Sequence, residues 1–195
     1  LKSFDYTNVS NYLKEYSMLH IEKFEVNMLQ ENCYVVSDET RECVIIDCGA
    51  FYPEEGTAIV NYIKENNFQP VHLLVTHGHL DHNFGNNTIH ETFGLKPEVS
   101  ASDERLMKNL KQQAEVFYQM QLDYDFPPVG HFFEENEVIR FGNHQFEIIL
   151  TPGHSRGSVT FYCAEEKVAF TGDTLFRGSI GRTDFKGGSM FQIIN

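Results

Sequence analysis

The chain has 195 residues, of which 41% are hydrophobic and 13% aromatic, and this composition is typical of one globular domain with an ample core. Twenty-eight acidic residues against fifteen basic ones give a formal net charge of −13, which disfavours a protein that binds the phosphate backbone of nucleic acids. We find no run of 18 apolar residues and no signal peptide, so we expect no membrane span. The charge does not exclude anionic small-molecule substrates, because a bound dication would reverse the local field.

The chain has four cysteines, which all lie in or beside apolar, strand-like segments: Cys33, Cys43, Cys48 and Cys163. No CxxC pair occurs, which disfavours a zinc knuckle or a dithiol redox motif. Four buried free thiols suit a reducing cytoplasm, although two disulfides would also be compatible with the sequence. The chain begins with Leu1 and ends in what reads as the first turns of a helix from Met190. We therefore expect a single domain over residues 1–195 that is truncated at its C-terminus.

Hydrophobic periodicity and turn residues predict an order of strands, then helices, then strands. The first part predicts a short helix near residues 12–16, two strands within 20–37, a strand at 43–47 and a helix over 53–66 that begins at Pro53. The middle predicts a strand at 71–76, a helix over 84–93 ended by Gly94, a brief strand at 99–101 and a long helix over 103–122. The last part predicts strands at 138–141, 145–150, 158–163 and 168–171. This order indicates an α/β (α+β) fold with two stacked mixed sheets and helices outside.

The stretch VHLLVTHGHLDH, residues 71–82, joins an apolar strand to a dense group of potential metal ligands. Side chains alternate faces in extended backbone, so His77 and His79 project to one side. Asp81 and His82 follow where the chain turns, and they can face a second point. A surface histidine cluster or a tag is the alternative, but a tag would not lie between a buried strand and an Asn/Gly turn. The stretch therefore predicts one or two metal positions at a strand end.

Three other stretches repeat this design, in which a strand ends, a glycine-rich turn follows and a potential ligand lies in the turn. The turn TPGHSRGS presents His154, TGDTLF presents Asp173, and Asp47-Cys48-Gly49 presents Asp47. Each glycine permits a tight turn beside a ligand. Any one of these turns would be weak evidence, but the repetition at four strand ends predicts a shared site.

HGHLDH, TPGHSRGS and TGDTLF together resemble the motifs of the metallo-β-lactamase superfamily, over about residues 24–184. The resemblance implies an αββα sandwich. It also implies that His77, His79 and His154 bind one metal ion, that Asp81 and His82 bind a second, and that Asp173 bridges both. Asp47 matches an aspartate that orients a ligand histidine, although a polar strand terminus is an equally simple interpretation.

Imidazole and carboxylate ligands suit Zn²⁺, one or two per chain, and also Fe²⁺ or Mn²⁺. Two such ions about 3.5–4 Å apart would hold a hydroxide that attacks a carbonyl, and would stabilise the oxyanion that forms. Asp81 could accept the proton of this hydroxide or orient it. Because the nucleophile is the hydroxide, Cys48 and Ser155 are not candidates for that role. The family usually supplies a further histidine to the second ion, and no histidine follows His154 here.

The segment FRGSIGRTDF, residues 176–185, resembles glyoxalase II-like hydrolases, which cleave hydroxyacyl-glutathione thioesters. The resemblance implies a thioester hydrolase with a small-molecule substrate. A similar segment occurs in persulfide dioxygenases, which use a single iron, so that activity is the main alternative. Another hydrolase of the same fold and a weakly catalytic metal-binding protein are further alternatives. The segment does not indicate an oligomeric state. We expect Arg182 to pair with Asp184 or a nearby acid and so to brace this loop.

Overall fold

The computed structural model describes residues 18–134 and 136–195, so the helix expected near residues 12–16 lies outside the described residues. A six-stranded sheet contains strands β1 to β6 in sequential order: His20–Val26, Glu31–Ser37, Glu42–Ile46, Gln69–Leu74, Pro97–Ser100 and His131–Phe133. The first three strands pair antiparallel, whereas β3, β4, β5 and β6 pair parallel. A four-stranded antiparallel sheet has the order β10-β9-β8-β7, from Val168–Phe170, Val159–Cys163, His144–Leu150 and Val138–Phe141. A two-stranded hairpin, β11 at Leu175–Phe176 and β12 at Ser179–Ile180, follows.

The five α-helices of the described residues are α1 at Pro53–Glu65, α2 at Asn86–Phe93, α3 at Glu104–Met107, α4 at Leu110–Tyr118 and α5 at Met190–Ile194. Helix α1 has Pro53 at its start, and the Glu55 carboxylate accepts hydrogen bonds from the backbone of Phe51 and Tyr52. Helix α2 ends at Gly94, whose φ of 75° is the left-handed conformation that glycine adopts readily. None of these helices is long and apolar enough to cross a membrane.

The larger sheet separates two apolar layers because its residues alternate between faces. Val35 and Ile45 pack on one side against Ile59 and Ile63 of α1. Alternate residues on the other side, Val36, Val44 and Ile46, pack against the four-stranded sheet, which contributes Phe141, Phe146 and Phe161. A third cluster around Leu80, Val99 and Leu110 joins helix α4 to the end of β4. The two stacked sheets, with helix α1 outside the larger one, agree with the expected αββα sandwich. The smaller sheet was expected to be mixed but is wholly antiparallel, because its strands follow one another through short turns and loops.

The long helix expected over residues 103–122 is wrong. The segment divides into a 3₁₀ turn at Ala101–Asp103, then α3 and α4, and α4 ends at Gln119 with a φ of 54°. Asp103 is buried, and its carboxylate accepts hydrogen bonds from two loops. Its side chain therefore does not lie on the solvent-exposed first turn of a long helix. The strand β6 and the hairpin β11–β12 were not expected, because both are too short to show periodicity.

Candidate metal centre

The candidate metal centre lies where strands of both sheets end. His77 follows β4, Asp47 follows β3, His154 follows β8 and Asp173 follows β10. Gly172 lies next to Asp173 with a φ of 48°, and a Cβ atom there would collide with the Thr76 hydroxyl. A side chain at this position would therefore be strained by its backbone and would also collide with the histidine loop.

Three buried imidazoles form the first cluster. His77, His79 and His154 each offer a ring nitrogen within 4.8 Å of the others. His79 Nδ1 lies only 2.8 Å from His154 Nε2, and the ring planes of the three histidines are nearly perpendicular to one another. Nitrogen atoms that share one Zn²⁺ at 2.0–2.1 Å would lie about 3.4 Å apart, so small adjustments would suffice to hold an ion.

The hydrogen bonds on the far side of these rings determine which nitrogens carry lone pairs. His154 Nδ1 lies 2.8 Å from the Arg182 carbonyl, which only accepts, so this nitrogen donates and Nε2 is left unprotonated. Thr76 donates its hydroxyl proton to Asp47, so His77 Nδ1, 3.1 Å away, donates to the Thr76 oxygen. His77 Nε2 is then a buried lone pair, and it has no partner among the described residues. Outer hydrogen bonds of this kind are typical of metal-binding histidines.

A second cluster shares His77 and adds His82 and Asp173, again with ligand atoms within 4.8 Å. Asp173 lies between the two clusters, because its Oδ1 is 3.3 Å from His82 Nε2 and its Oδ2 is 3.5 Å from His154 Nε2. Asp81 lies at the edge of this group, with its Oδ2 3.8 Å from His82 Nε2. The structure therefore brings the six predicted residues into one region, with Asp81 less tightly placed than the others.

The opposite nitrogen of His82 faces two buried carboxylates. His82 Nδ1 lies 3.0 Å from Asp47 Oδ2 and 3.6 Å from Glu31 Oε1. Asp47 also accepts hydrogen bonds from the Thr76 amide and hydroxyl, each at 2.7 Å. Asp47 thus contacts His82 directly and His77 through Thr76, which matches the orienting role that the family resemblance implies. Sequence analysis did not identify Glu31, a single acidic residue at the start of an apolar strand.

Burial and charge give these residues different protonation states. Burial, together with the neighbouring imidazoles, lowers the pKa of His79 to about 3 and the pKa of His77 well below its ordinary value. Burial alone would also lower the pKa of His82, but the carboxylates of Asp47 and Glu31 raise it well above that value. Burial opposes the ionisation of Asp173, yet the hydrogen bond to His82 lowers its pKa. His77 and His79 are therefore neutral near pH 7 and available as ligands, and Asp173 is a carboxylate.

Asp103 joins the two histidine-bearing loops, and sequence analysis did not find it. Its carboxylate accepts hydrogen bonds from the Gly78 amide at 2.9 Å, the Gly157 amide at 2.8 Å and the Ser155 hydroxyl at 2.6 Å. Gln113 of α4 holds the same loop through the backbone of Gly78 and Leu80. No local signal marks these two residues, because their partners are distant in sequence.

One wall of the centre is the loop after β12. The Phe185 ring lies 5.3 Å from the His79 ring, and the Arg182 guanidinium stacks 4.0 Å above Phe185. Arg182 forms two hydrogen bonds of 2.7 Å with Asp184, which confirms the expected brace. A Cβ atom at Gly181 would collide with the Asp173 carbonyl oxygen, so this loop lies directly against the backbone of the centre.

Residues set aside during sequence analysis lie elsewhere or have other partners. The four cysteines are free and buried. The Ser155 hydroxyl donates to Asp103. Four other histidines have partners of their own: His72 with Glu98, His90 with the Leu95 carbonyl, His131 with Glu137 and His144 with Asp38. The donor set of the centre fits a divalent metal ion, because it includes a buried ring nitrogen, His77 Nε2, that has no partner within residues 18–134 and 136–195.

Comparisons with known proteins agree with this geometry. The family model described as "Metallo-beta-lactamase superfamily" matches residues 26–195. The hydroxyacylglutathione hydrolase GloC of Haemophilus influenzae is 37% identical over 180 residues, which cover 91% of this chain and 82% of that protein. The crystal structure of the B3 metallo-beta-lactamase BLEG-1 has a TM-score of 0.79 and 27% identity, and covers 90% of this chain and 82% of that one.

A further crystal structure is that of TTHA1623 in a di-iron-bound form. It has a TM-score of 0.76 and 29% identity, and covers 89% of this chain and 82% of that one. The fold, the clustered histidines and the extent of the family match lead to one conclusion. This chain belongs to the metallo-beta-lactamase superfamily.

Proposed function

We propose that this chain is a metal-dependent hydrolase that cleaves thioesters of the hydroxyacyl-glutathione type. The observation that carries the proposal is the buried group of His77, His79 and His154, which faces Asp173 and contains a ring nitrogen without a partner among the described residues. The similarity to a hydroxyacylglutathione hydrolase supports the thioester as the substrate.

The residues of the centre have distinct roles in this proposal. His77, His79 and His154 would hold one ion, Asp81 and His82 would contribute to a second, and Asp173 contacts residues of both groups and would be available to either. Zn²⁺ suits this donor set, and Fe²⁺ or Mn²⁺ are alternatives, the first of them supported by the di-iron form of a similar structure. When bound, such ions polarise a carbonyl and make a water molecule acidic enough to act near neutral pH.

The protein residues provide the remaining chemistry. Asp81 is half-buried at the edge of the centre, where its carboxylate can accept a proton from the attacking water. Asp47 contacts one nitrogen of the His82 ring and Thr76 contacts one nitrogen of the His77 ring, which leaves the opposite nitrogen of each ring to the cluster that they share with Asp173. Phe185 and the stacked Arg182 cover one side and limit the access of water.

We also propose that the partner of this protein is a small molecule, and that neither nucleic acid nor membrane binds to it. The net charge of −13 supports the first exclusion. A cytoplasmic location is supported by the four free, buried thiols, which persist in reducing surroundings.

The test combines metal analysis with an activity panel on the purified chain. We expect stoichiometric metal, turnover of S-lactoylglutathione, loss of turnover after chelation and recovery when Zn²⁺, Fe²⁺ or Mn²⁺ is restored. The panel includes a glutathione persulfide with an oxygen electrode and a chromogenic β-lactam. Oxygen consumption with the persulfide, without thioester cleavage, would replace the proposal by the dioxygenase alternative. Turnover of the β-lactam alone would replace it by a lactamase.

A further inference from the structure

The turn between strands β1 and β2, residues 27–30, contacts the metal centre through one buried side chain, that of Asn27. This residue is 7% exposed, and its φ of 53° is the left-handed conformation that asparagine adopts more readily than most residues. Its backbone amide donates to Glu55 Oε1 at 2.8 Å, and its Oδ1 accepts from the Leu29 amide at 2.9 Å. The contact with Leu29 identifies the oxygen of the side-chain amide, so the nitrogen is the atom that faces the centre.

The side-chain nitrogen of Asn27 has two protons, and two backbone carbonyls accept them. Nδ2 lies 2.9 Å from the Asp81 carbonyl oxygen and 2.9 Å from the Gly49 carbonyl oxygen. Gly49 belongs to the turn after β3 that presents Asp47. A Cβ atom at Gly49 would collide with the Asp81 carbonyl oxygen, so the two loops are in direct contact here. One amide therefore joins the loop of Asp47 to the loop of Asp81.

Glu31, the first residue of β2, extends this contact to the His82 ring. Its Oε1 lies 3.6 Å from His82 Nδ1, and Asp47 Oδ2 lies 3.0 Å from the same nitrogen. Asp81 Oδ2 lies 3.8 Å from the opposite nitrogen, His82 Nε2. The residues from Asn27 to Glu31 thus contact Asp81 and His82 directly, and they reach Asp47 through Gly49.

The loop between His77 and His79 is held by other residues. Asp103 accepts a hydrogen bond from the backbone of this loop, and Gln113 bonds to its backbone from helix α4. Within residues 18–134 and 136–195, the hydrogen bonds of Asn27 do not include either of these histidines. The two halves of the centre therefore have separate supports.

We propose that Asn27 is a positioning residue for the second ion, and that the affinity for the first ion does not depend on it. This inference rests on the proposed function, which assigns Asp81 and His82 to a second ion. Without the amide of Asn27, the two carbonyls lose their donor and the loops of Asp47 and Asp81 are no longer tied together. The carboxylate of Asp81 and the ring of His82 then converge less well. Hydrogen bonds that orient metal ligands from outside typically contribute about 10- to 100-fold to affinity.

The test follows the binding of Co²⁺ to metal-free protein, without substrate, by visible absorption and calorimetry. Asn27→Gly removes the side-chain amide and retains the left-handed backbone. Asn67→Gly is the matched control, because Asn67 has the same φ of 53° and lies exposed between α1 and β4. We expect two binding steps in wild type and in the control. In Asn27→Gly the first step should be unchanged, and the Kd of the second step should rise about tenfold or more.

Asn27→Asp is a second variant of the same shape. It retains the acceptor for the Leu29 amide, but its carboxylate cannot donate to either carbonyl. The second step should weaken at least as much as in Asn27→Gly, and this variant decides the question if the glycine variant is too unstable to be titrated.

Three results would overturn the inference: a second step that is unchanged in Asn27→Asp, an equal weakening of both steps, and a wild type that binds a single ion. Equal weakening would mean that Asn27 supports the fold and has no role specific to the second ion. Thioester turnover is measured separately. A wild type that shows both steps, loses only the second in the Asn27 variants and cleaves no thioester would contradict the proposed function and support the inference.

Discussion

Two clusters of histidine and carboxylate side chains lie at the two ends of strand β3, and they differ in how completely their hydrogen bonds are satisfied. At one end Asp38 accepts from the Thr40 amide at 2.9 Å, from the Asn143 amide at 2.7 Å and from His144 at 3.0 Å. At the other end His77 Nε2 is buried without a partner among the described residues, and His79 Nδ1 faces another ring nitrogen. Both ends have the residue types of a metal site. The saturated hydrogen bonds identify the first cluster as a structural contact between the two sheets. The buried His77 Nε2, which has no partner among the described residues, favours the second cluster as the metal centre.

The largest effect should appear when a histidine is replaced in each of the two clusters and the two variants are compared. His79→Ala should remove bound metal and lower kcat/KM for the thioester by at least about a thousandfold, because a metal-stabilised transition state loses several kcal/mol. His144→Ala is the matched control and should retain both metal and turnover. Elemental analysis and initial rates measure the outcome. Equal metal content in His79→Ala and wild type would show that the reactive cluster has been assigned wrongly.

A smaller effect should follow from Asp103, whose carboxylate is as saturated as that of Asp38 but lies within the metal centre. Asp103→Ala leaves two buried amides and the Ser155 hydroxyl without their acceptor. We expect the free energy of unfolding to fall by about 3 kcal/mol in urea titrations of metal-free protein. Asp103→Asn retains part of the acceptor capacity and should be affected less. A loss below about 1 kcal/mol in the alanine variant would mean that other contacts hold the two loops together.

The smallest effect concerns the pH dependence of stability at the Asp38 end. Burial opposes ionisation there, but hydrogen bonds from Thr40, His144 and Asn143 lower the pKa of Asp38 in the folded protein. A carboxyl group whose pKa is lower in the folded than in the unfolded protein stabilises the folded state at pH values above its unfolded pKa of about 3.9. This stabilisation is lost as the pH falls through the folded pKa.

Asp38→Asn should therefore reduce stability by about 1 kcal/mol at pH 7. The difference from wild type should shrink as the pH falls below the unfolded pKa, because protonation of Asp38 in wild type removes this contribution. Thermal unfolding of metal-free protein between pH 2 and pH 7 measures both curves. A constant difference across this range would show that packing, and not the charge of Asp38, supplies the stability.

Much of the centre could be predicted because its residues follow strands at short, glycine-rich turns. His77, His79, His154 and Asp173 lie where the ends of β4, β8 and β10 place them, and short apolar runs bounded by turn residues were sufficient to locate those strands. The residues that could not be predicted act over long separations. Asp103 and Glu31 look like ordinary acidic residues until the loops that they contact are folded against them.

The single long helix expected over residues 103–122 was also wrong because of contacts between residues that are distant in sequence. Its apolar spacing is helical, and much of the segment is helical, but Asp103 and Gln113 turn their side chains towards the histidine loop. The backbone adjusts to these contacts by dividing near Asn109, where φ is −119°. Propensity describes the local preference, and tertiary hydrogen bonds decide where the helix is interrupted.

The contact between His79 and His154 joins positions 75 residues apart, on loops that belong to different sheets. During synthesis His77, His79 and His82 emerge well before His154 and Asp173. The second sheet must form and dock before the metal centre is complete. Closing so long a loop is among the slower steps in the folding of a domain. An unfinished chain therefore presents His77, His79, Asp81 and His82 but lacks His154 and Asp173, so its set of potential ligands is incomplete. The topology therefore leads us to expect that tight metal binding follows the docking of the second sheet.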